Sequence, residues 1–117
     1  ELVGGPAGWQ AISDAGREQL MTALSQRLDA DELEGADRAA QLRSGSVMID
    51  AGTEPNPRDF ALFEPVMNAE GQIRALRFVF PPTQVAPYEE GTRTVEIPAR
   101  LLLPHVAPDY RPLFQGG

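Results

Sequence analysis

FALFEPVMNAEGQIRALRFVF, residues 60–80, is the stretch that decides the fold. Residues 60–66 and 72–80 are rich in apolar and aromatic side chains, and the turn-forming residues 68–71 separate them. Side chains alternate between the two faces of a strand, so three large apolar residues of the second arm share one face: Leu76, Phe78 and Phe80. The pattern predicts an antiparallel β-hairpin with that face buried.

A third strand and a short helix are predicted after the hairpin. Residues 94–97 alternate polar and β-branched apolar side chains, which is typical of a strand with one buried face. Pro98 suits the first turn of a helix, because an N–H at that position would have no partner inside the helix. We expect this C-terminal helix to run through the leucines at 101–103 and to stop at Pro104.

An amphipathic helix is predicted over residues 8–28. Apolar side chains recur there every three or four positions: Trp9, Ile12, Leu20, Leu24 and Leu28. We expect the leucines to cover the apolar face of the hairpin and Trp9 to be buried. The glycine-rich residues 1–8 are predicted to be a flexible lead-in.

The segment between this helix and the hairpin has weaker periodicity. A second short helix is predicted from Asp29 or Asp31 through Leu42, and residues 47–50 are predicted to be a short strand or a tether. Residues 52–59 contain two prolines and are predicted to be a loop. Four acidic side chains here lack the spacing of a calcium loop, and we interpret them as a solvated face: Asp31, Glu32, Glu34 and Asp37.

Together these elements predict a single α+β domain spanning residues 1–117. The N-terminal amphipathic helix packs on a small antiparallel sheet, which is formed by the hairpin and the third strand, and a short C-terminal helix follows. A chain of 117 residues is long enough to bury a core of its own.

The charge pattern excludes several classes of partner. The chain has a formal net charge of −7, and its ten basic residues are all arginines, scattered singly along the sequence. Nucleic-acid binding needs clustered cations, so DNA and RNA are excluded as partners. No run of about eighteen apolar residues exists, so we expect no membrane insertion by this segment. The acidity suits a basic protein partner and serves equally well as a solubility device.

No catalytic residue, metal site or cofactor is predicted. The chain lacks cysteine and has one histidine, His105, with no serine motif and no second ligand to pair with it. Glu89 and Glu90 are adjacent, and neighbours in an extended chain point to opposite sides, so they cannot act as a glycosidase pair. We interpret both glutamates as a solvated loop tip.

The loop between the second and third strands carries the candidate binding residues. Its prolines restrict the backbone and remove amide donors, so the loop cannot extend the sheet. Tyr88 has an apolar ring and a polar tip, and it is either the anchor of a contact surface or a staple that tucks under the loop. The predicted binding residues are Pro82, Thr83, Gln84, Pro87, Tyr88, Glu89 and Glu90.

The stretch FVFPPTQVAPYEEGTRTVEIP, residues 78–98, with the hairpin sequence before it, resembles the C-terminal domain of RsiV-type bacterial exported proteins. The matching residues are Phe80, Pro82, Ala86, Pro87, Tyr88, Gly91, Val95, Ile97 and Pro98. Upstream, the family's lead-in to the hairpin is matched by Pro57, Phe60 and Phe63. Thr83 stands where the family usually has a tyrosine.

The resemblance implies an α+β domain like a small subdomain of the heat-shock cognate ATPase, without its nucleotide site. Such domains usually follow a smaller N-terminal domain in exported or membrane-anchored proteins, and the outer domain of an anti-sigma factor in this family binds lysozyme. We therefore expect the C-terminal part of a longer exported protein, in the periplasm or on the outer face of the envelope. Its expected role is non-enzymatic binding or sensing, and its expected partners are a basic protein such as lysozyme and an N-terminal domain of the same protein.

Two further functions are compatible with the sequence. One is an accessory module of a peptidoglycan-modifying, deacetylase-like cell-wall protein, since related N-terminal domains accompany such enzymes. The other is a purely structural domain. A carbohydrate-binding module would display a row of exposed aromatic rings, and the candidates for such a row are Trp9, Tyr88 and Tyr110.

Overall fold

The computed structural model describes residues 2–117 and contains two long helices and a three-stranded antiparallel sheet, which confirms the predicted α+β fold. The elements are α1 (Gly5–Ala30), α2 (Gly35–Gly52), β1 (Phe63–Met67), β2 (Ile73–Phe80), β3 (Arg93–Pro98) and α3 (Ala99–Leu102). Short 3-10 turns lie at Tyr88–Glu90, Leu103–His105 and Pro108–Leu113. Within residues 2–117, no helix is both long and apolar enough to cross a membrane.

The strands lie in the order β1–β2–β3, with the long second arm of the hairpin in the centre. Phe78 pairs with Phe63 on one side and with Val95 on the other. Residues directly opposite each other share a face of the sheet. The predicted apolar face of β2 is buried together with the matching residues of β3: Leu76, Phe78, Phe80, Val95 and Ile97.

Phe60 joins the sheet to α1. Its ring packs edge-on against the rings of Phe78 and Phe80, at centroid distances of 5.4 and 5.7 Å. Gly16 of α1 faces this ring, and a Cβ atom there would lie in ordinary van der Waals contact with it, at 3.5 Å. The prediction that the first strand begins at residue 60 is wrong, because Phe60 turns inward to fill the core and β1 begins at Phe63.

The N-terminal segment is ordered against the C-terminal one. Val3 is buried and bridges Val106, while the N–H of Gly4 donates to the carbonyl oxygen of His105 at 3.0 Å. The predicted flexible lead-in is therefore wrong over residues 2–8, and Glu1 lies outside the described residues. α1 starts at Gly5 instead of residue 8, because backbone pairing between distant parts of the chain holds its first turn in place.

α2 is longer than predicted. We expected the second helix to end at Leu42 and residues 47–50 to form a strand or tether, and both expectations are wrong because α2 continues to Gly52. No proline interrupts this stretch. A helical rather than extended path lets Ile49 join the hydrophobic core. Packing against the rest of the domain thus determines that residues 47–50 are helical, because their local sequence pattern is ambiguous.

The end of α2 is fixed by Thr53. The Thr53 hydroxyl donates to the carbonyl oxygen of Ile49 at 2.6 Å, and the Thr53 carbonyl accepts from the buried hydroxyl of Ser13 at 2.6 Å. The Nε of Arg17 donates to the Thr53 hydroxyl at 2.9 Å. These bonds join the C-terminal end of α2 to α1 and satisfy polar groups that would otherwise be costly to bury.

The leucines of α1 do not share one environment. Leu20 and Leu28 are buried, whereas Leu24 is half-buried and lies against α2, where a Cβ atom at Gly45 would be 2.5 Å from its Cδ2. The predicted leucine face therefore covers the sheet only in part. Trp9 was expected to be buried and is half-buried, with its ring centroid 6.5 Å from that of Phe60.

The C-terminal segment differs in detail from its prediction. Pro98 pairs with Ala75 in the sheet and caps α3 instead of lying in its first turn. α3 ends at Leu102, one residue short of the predicted run of leucines, and Pro104 lies in the 3-10 turn that follows it. Further on, Phe114 is fully buried and bridges Ile73, which fixes the last residues beside β2.

β1 forms an open edge of the sheet. The carbonyl of Leu62 accepts from the N–H of Val79 at 2.9 Å, so hydrogen-bonded pairs recur at every second residue from this point. By that alternation, the backbone nitrogen of Pro65 points away from β2 and the proline removes a donor from the open edge. Three large apolar side chains are about half exposed along this edge: Leu62, Phe63 and Met67.

Candidate functional site

The 81–92 loop, which connects β2 to β3, folds back over the end of α2. Nε2 of Gln84 donates to the carbonyl oxygens of Gly52 at 3.0 Å and Asp59 at 2.8 Å. Val85 is buried in the core. Gln84 was predicted as a binding residue, but its side chain holds the loop to the domain and is only partly accessible.

The first part of the loop is exposed and conformationally restricted. Pro82 and Thr83, which were predicted as binding residues, are both exposed. Thr83 has a backbone φ of 79°, a region that β-branched residues rarely occupy and that costs on the order of 1–3 kcal/mol. The surrounding contacts, including those of Gln84, hold this backbone conformation in place.

Glu90 connects the loop to α1. Its carboxylate forms ion pairs with Arg27 of α1 and Arg93 of β3, and its side chain is only 18% exposed. The interpretation of Glu90 as part of a solvated tip is wrong, because a 3-10 turn over Tyr88–Glu90 directs its carboxylate to these two arginines. Glu89 is exposed, as predicted.

Tyr88 lies at the outer surface of the loop. Its side chain is 66% exposed, so the alternative in which it tucks under the loop as a staple is wrong. Pro87 precedes the turn, and Gly91 ends it with a positive φ of 70°, which glycine adopts without strain. The ring therefore projects from a short 3-10 turn. Two residues later, Glu90 holds this turn in place through its ion pairs with Arg27 and Arg93.

A narrow cleft runs between α1, α2 and the loop; we call it the helix cleft. Its volume is about 60 Å³, the space of a few water molecules when one water needs about 10–15 Å³. Its lining is mainly apolar and includes Leu20, Leu24, Gly45, Ile49, Val85 and Pro87. The Arg27–Glu90–Arg93 cluster also borders it. Such a cleft can accept one small apolar side chain, with charged groups beside it.

The structure divides the predicted binding residues into three groups. Pro87 and Glu90 line the helix cleft. An exposed group covers the outside of the loop: Pro82, Thr83, Tyr88 and Glu89. Gln84 alone points to the end of α2. The contribution of α2 was missed, because only two of its lining residues are apolar and they give no helical pattern: Gln41, Gly45, Met48 and Ile49.

Outside the loop, Arg77 forms a network with two glutamates on the sheet. On the sheet, hydrogen bonds to Glu96 and Glu64 raise the pKa of the Arg77 guanidinium above its ordinary value. The His105 side chain lies close to Gly8 of α1. The backbone carbonyl of His105 accepts the hydrogen bond from the N–H of Gly4. In the part of the chain that the structure describes, no three histidine, cysteine or carboxylate side chains converge as metal ligands.

Comparisons with family models, with curated proteins and with solved structures find no match to this chain. The resemblance to the RsiV-type family therefore stays a prediction.

Proposed function

We propose that this is a non-enzymatic binding domain that captures a basic protein with the outer face of the 81–92 loop and the adjoining helix cleft. The observation that carries the proposal is the 66% exposure of Tyr88 on an otherwise well-anchored turn. Tyrosine is enriched among residues that dominate binding energy, since its ring provides apolar contact area and its hydroxyl a hydrogen bond.

The anchoring of the loop favours recognition. Gln84 bonds the loop to the end of α2, and Glu90 bonds it to α1 and β3. A binding element that is already held in its bound shape loses less conformational entropy when the partner arrives. The free energy of the Tyr88 contact is then available for affinity instead of for ordering the loop.

The charge distribution favours a basic partner. Five exposed acidic residues gather where α1 turns into α2, with Arg38 as the compensating cation nearby: Asp29, Asp31, Glu32, Glu34 and Asp37. Glu89 adds a further exposed carboxylate beside Tyr88. With a net charge of −7, the domain attracts cationic proteins over distances of about a Debye length.

The partner we propose is a lysozyme-type muramidase, met by an exported protein at the bacterial envelope. The sequence resemblance supports this choice, and the acidity of the domain is compatible with the basic surface of such enzymes. An N-terminal domain of the same protein is the second proposed contact.

Calorimetric titration of the 117-residue chain with a basic lysozyme tests the proposal. We expect saturable binding that weakens between about 20 mM and about 200 mM salt. Tyr88→Ala is expected to weaken the affinity by about tenfold or more, equivalent to about 1.4 kcal/mol. Tyr110→Ala, which removes another exposed tyrosine, serves as the matched control and retains the affinity.

Three results would contradict the proposal. The absence of heat and of any elution shift at low salt would remove lysozyme as the partner. Equal affinities of the wild-type chain and Tyr88→Ala would place the contact surface elsewhere. If an unrelated basic protein bound with the same affinity, charge attraction alone would account for the binding.

A further inference from the structure

Three arginines line one open basin on the side of the molecule formed by the start of β2, by α3 and by the C-terminal segment. Arg74, Arg100 and Arg111 come from these three elements in turn, and the basin they line has a volume of about 750 Å³. This volume lies in the range of small-molecule sites, about 300–1,000 Å³. We call it the arginine basin.

The position of the basin follows from the packing of the C-terminal segment. The N–H of Gln115 donates to the carbonyl of Ile73 at 2.8 Å, which holds the segment beside the start of β2, next to Arg74. Arg111 is oriented by its Nε, which donates to the carbonyl of Val106 at 3.0 Å. This bond leaves the two terminal amino groups of Arg111 for another acceptor.

The basin is cationic, unlike the chain as a whole: three arginines line it, against one carboxylate, the terminal group of Gly117 in the 117-residue chain. Among residues 2–117, no aspartate or glutamate lines it, although the chain has seventeen acidic and ten basic residues. Arg74 has one carboxylate partner outside the lining, Glu96, at 3.7 Å. Arg100 is exposed and makes no ion pair with any residue from 2 to 117. Like charges placed around one basin repel each other, and an anion in the basin would relieve that repulsion.

We propose that the arginine basin binds a small polyanion carrying carboxylate or phosphate groups. Guanidinium groups match the paired oxygens of both groups through two parallel hydrogen bonds. Arg100 and Arg111 supply these donors, and Arg74 adds a third cation while it keeps its contact with Glu96. The site is separate from the 81–92 loop, none of whose residues lines the basin.

Titration of the 117-residue chain with citrate and, separately, with pyrophosphate tests the proposal and distinguishes the two chemistries. We expect one-site binding of at least one probe, with an affinity that falls several-fold between about 20 mM and about 200 mM NaCl. The probe with the higher affinity identifies carboxylate or phosphate as the preferred group. Arg100→Gln is expected to weaken binding by about tenfold or more.

Arg43→Gln is the matched control, because Arg43 is an exposed arginine of α2 that does not line the basin. We expect this variant to bind as the wild-type chain does, and Arg74→Gln provides a second variant inside the basin. The proposal is overturned if neither probe gives saturable heat at about millimolar concentration. It is equally overturned if Arg100→Gln and Arg74→Gln bind normally, or if Arg43→Gln weakens binding as much as they do.

Discussion

Gln84 and Gly52 are in contact twice: the Gln84 side-chain amide donates to the carbonyl oxygen of Gly52, and the Gln84 backbone crosses Gly52 where no side chain fits. A Cβ atom at Gly52 would lie only 2.1 Å from the carbonyl oxygen of Gln84. The loop and the last turn of α2 therefore approach each other through backbone atoms.

Gly52→Ala is expected to destabilise the domain by about 1–3 kcal/mol or more, because the obstructing atom belongs to the backbone and cannot rotate away. Gly4→Ala is the matched control, since no atom lies within 4 Å of its added Cβ, and it should cost at most about 1 kcal/mol as a helix-cap change. Urea unfolding of both variants measures the difference. Equal midpoints would mean that the loop can withdraw from α2 at little cost.

Glu90→Gln is expected to lower stability by about 1–2 kcal/mol, a value reduced to allow for the partial exposure of both arginine partners. The substitution keeps the shape of the side chain but leaves Arg27 and Arg93 without their shared carboxylate. Among the described residues, Nε of Arg27 is already buried without a hydrogen-bond partner. Glu89→Gln, at the exposed neighbour, should stay within about 0.5 kcal/mol. Thermal melts that rank the two variants in the opposite order would show that the ion pairs do not fix the loop.

Tyr88→Ala is expected to shift the melting temperature by less than about 3 °C, because a mostly exposed ring contributes little to the core. The measurement is a thermal melt followed by circular dichroism, carried out on the same preparation that is used for binding. A fall of several degrees would show that the ring supports the loop, and a loss of partner binding would then be an indirect effect.

Leu20→Ala should be more destabilising than Leu24→Ala. Leu20 belongs to the buried core, so its truncation should cost about 2–5 kcal/mol. Leu24 is half-buried beside Gly45, and its truncation should cost about 1–2 kcal/mol while it widens the helix cleft. Urea unfolding with unchanged slopes is the appropriate measurement. The reverse order would place Leu24 at the main contact between α1 and the sheet.

Pro65→Val is expected to promote self-association. The substitution adds an N–H donor to the open edge of β1, where Phe63 is already 48% exposed, and an unguarded apolar edge can pair with a second copy. Pro57→Val, in the loop before the strand, controls for the loss of a proline. Sedimentation over a range of protein concentrations measures the effect. A monomeric Pro65→Val chain at all concentrations would show that other features protect this edge.

The sheet could be predicted from the sequence because its signals are local. Alternation in β2 and β3 and turn residues between the hairpin arms are contained in short windows, and the buried face of Leu76, Phe78 and Phe80 follows from them. The extent of α2 could not be predicted in this way. Its apolar residues 47–49 fit a strand or a helix, and contact with α1 decides between the two.

The sequence identified the loop that carries the candidate site, but it did not identify the contacts that hold this loop in place. The prolines around Tyr88 identified the loop, and its exposure agrees with one of the two alternatives. The burial of Glu90 depends on Arg27, which lies 63 positions earlier in the chain. Gln84 likewise depends on Gly52, 32 positions earlier. No spacing rule relates such residues, so the cleft emerges only from the tertiary structure.

The bridge between Val3 and Val106 has a consequence for the order of folding. Its two residues are separated by nearly the whole chain. Closing this contact early would therefore cost more loop entropy than pairing α1 with α2 or β1 with β2. The α1–α2 and β1–β2 pairs, each joined by a short turn, can form first. We therefore expect the bridge between the two ends to form last and to open first during native-state fluctuations, with the amides of Gly4 and Ala107 as reporters of that opening.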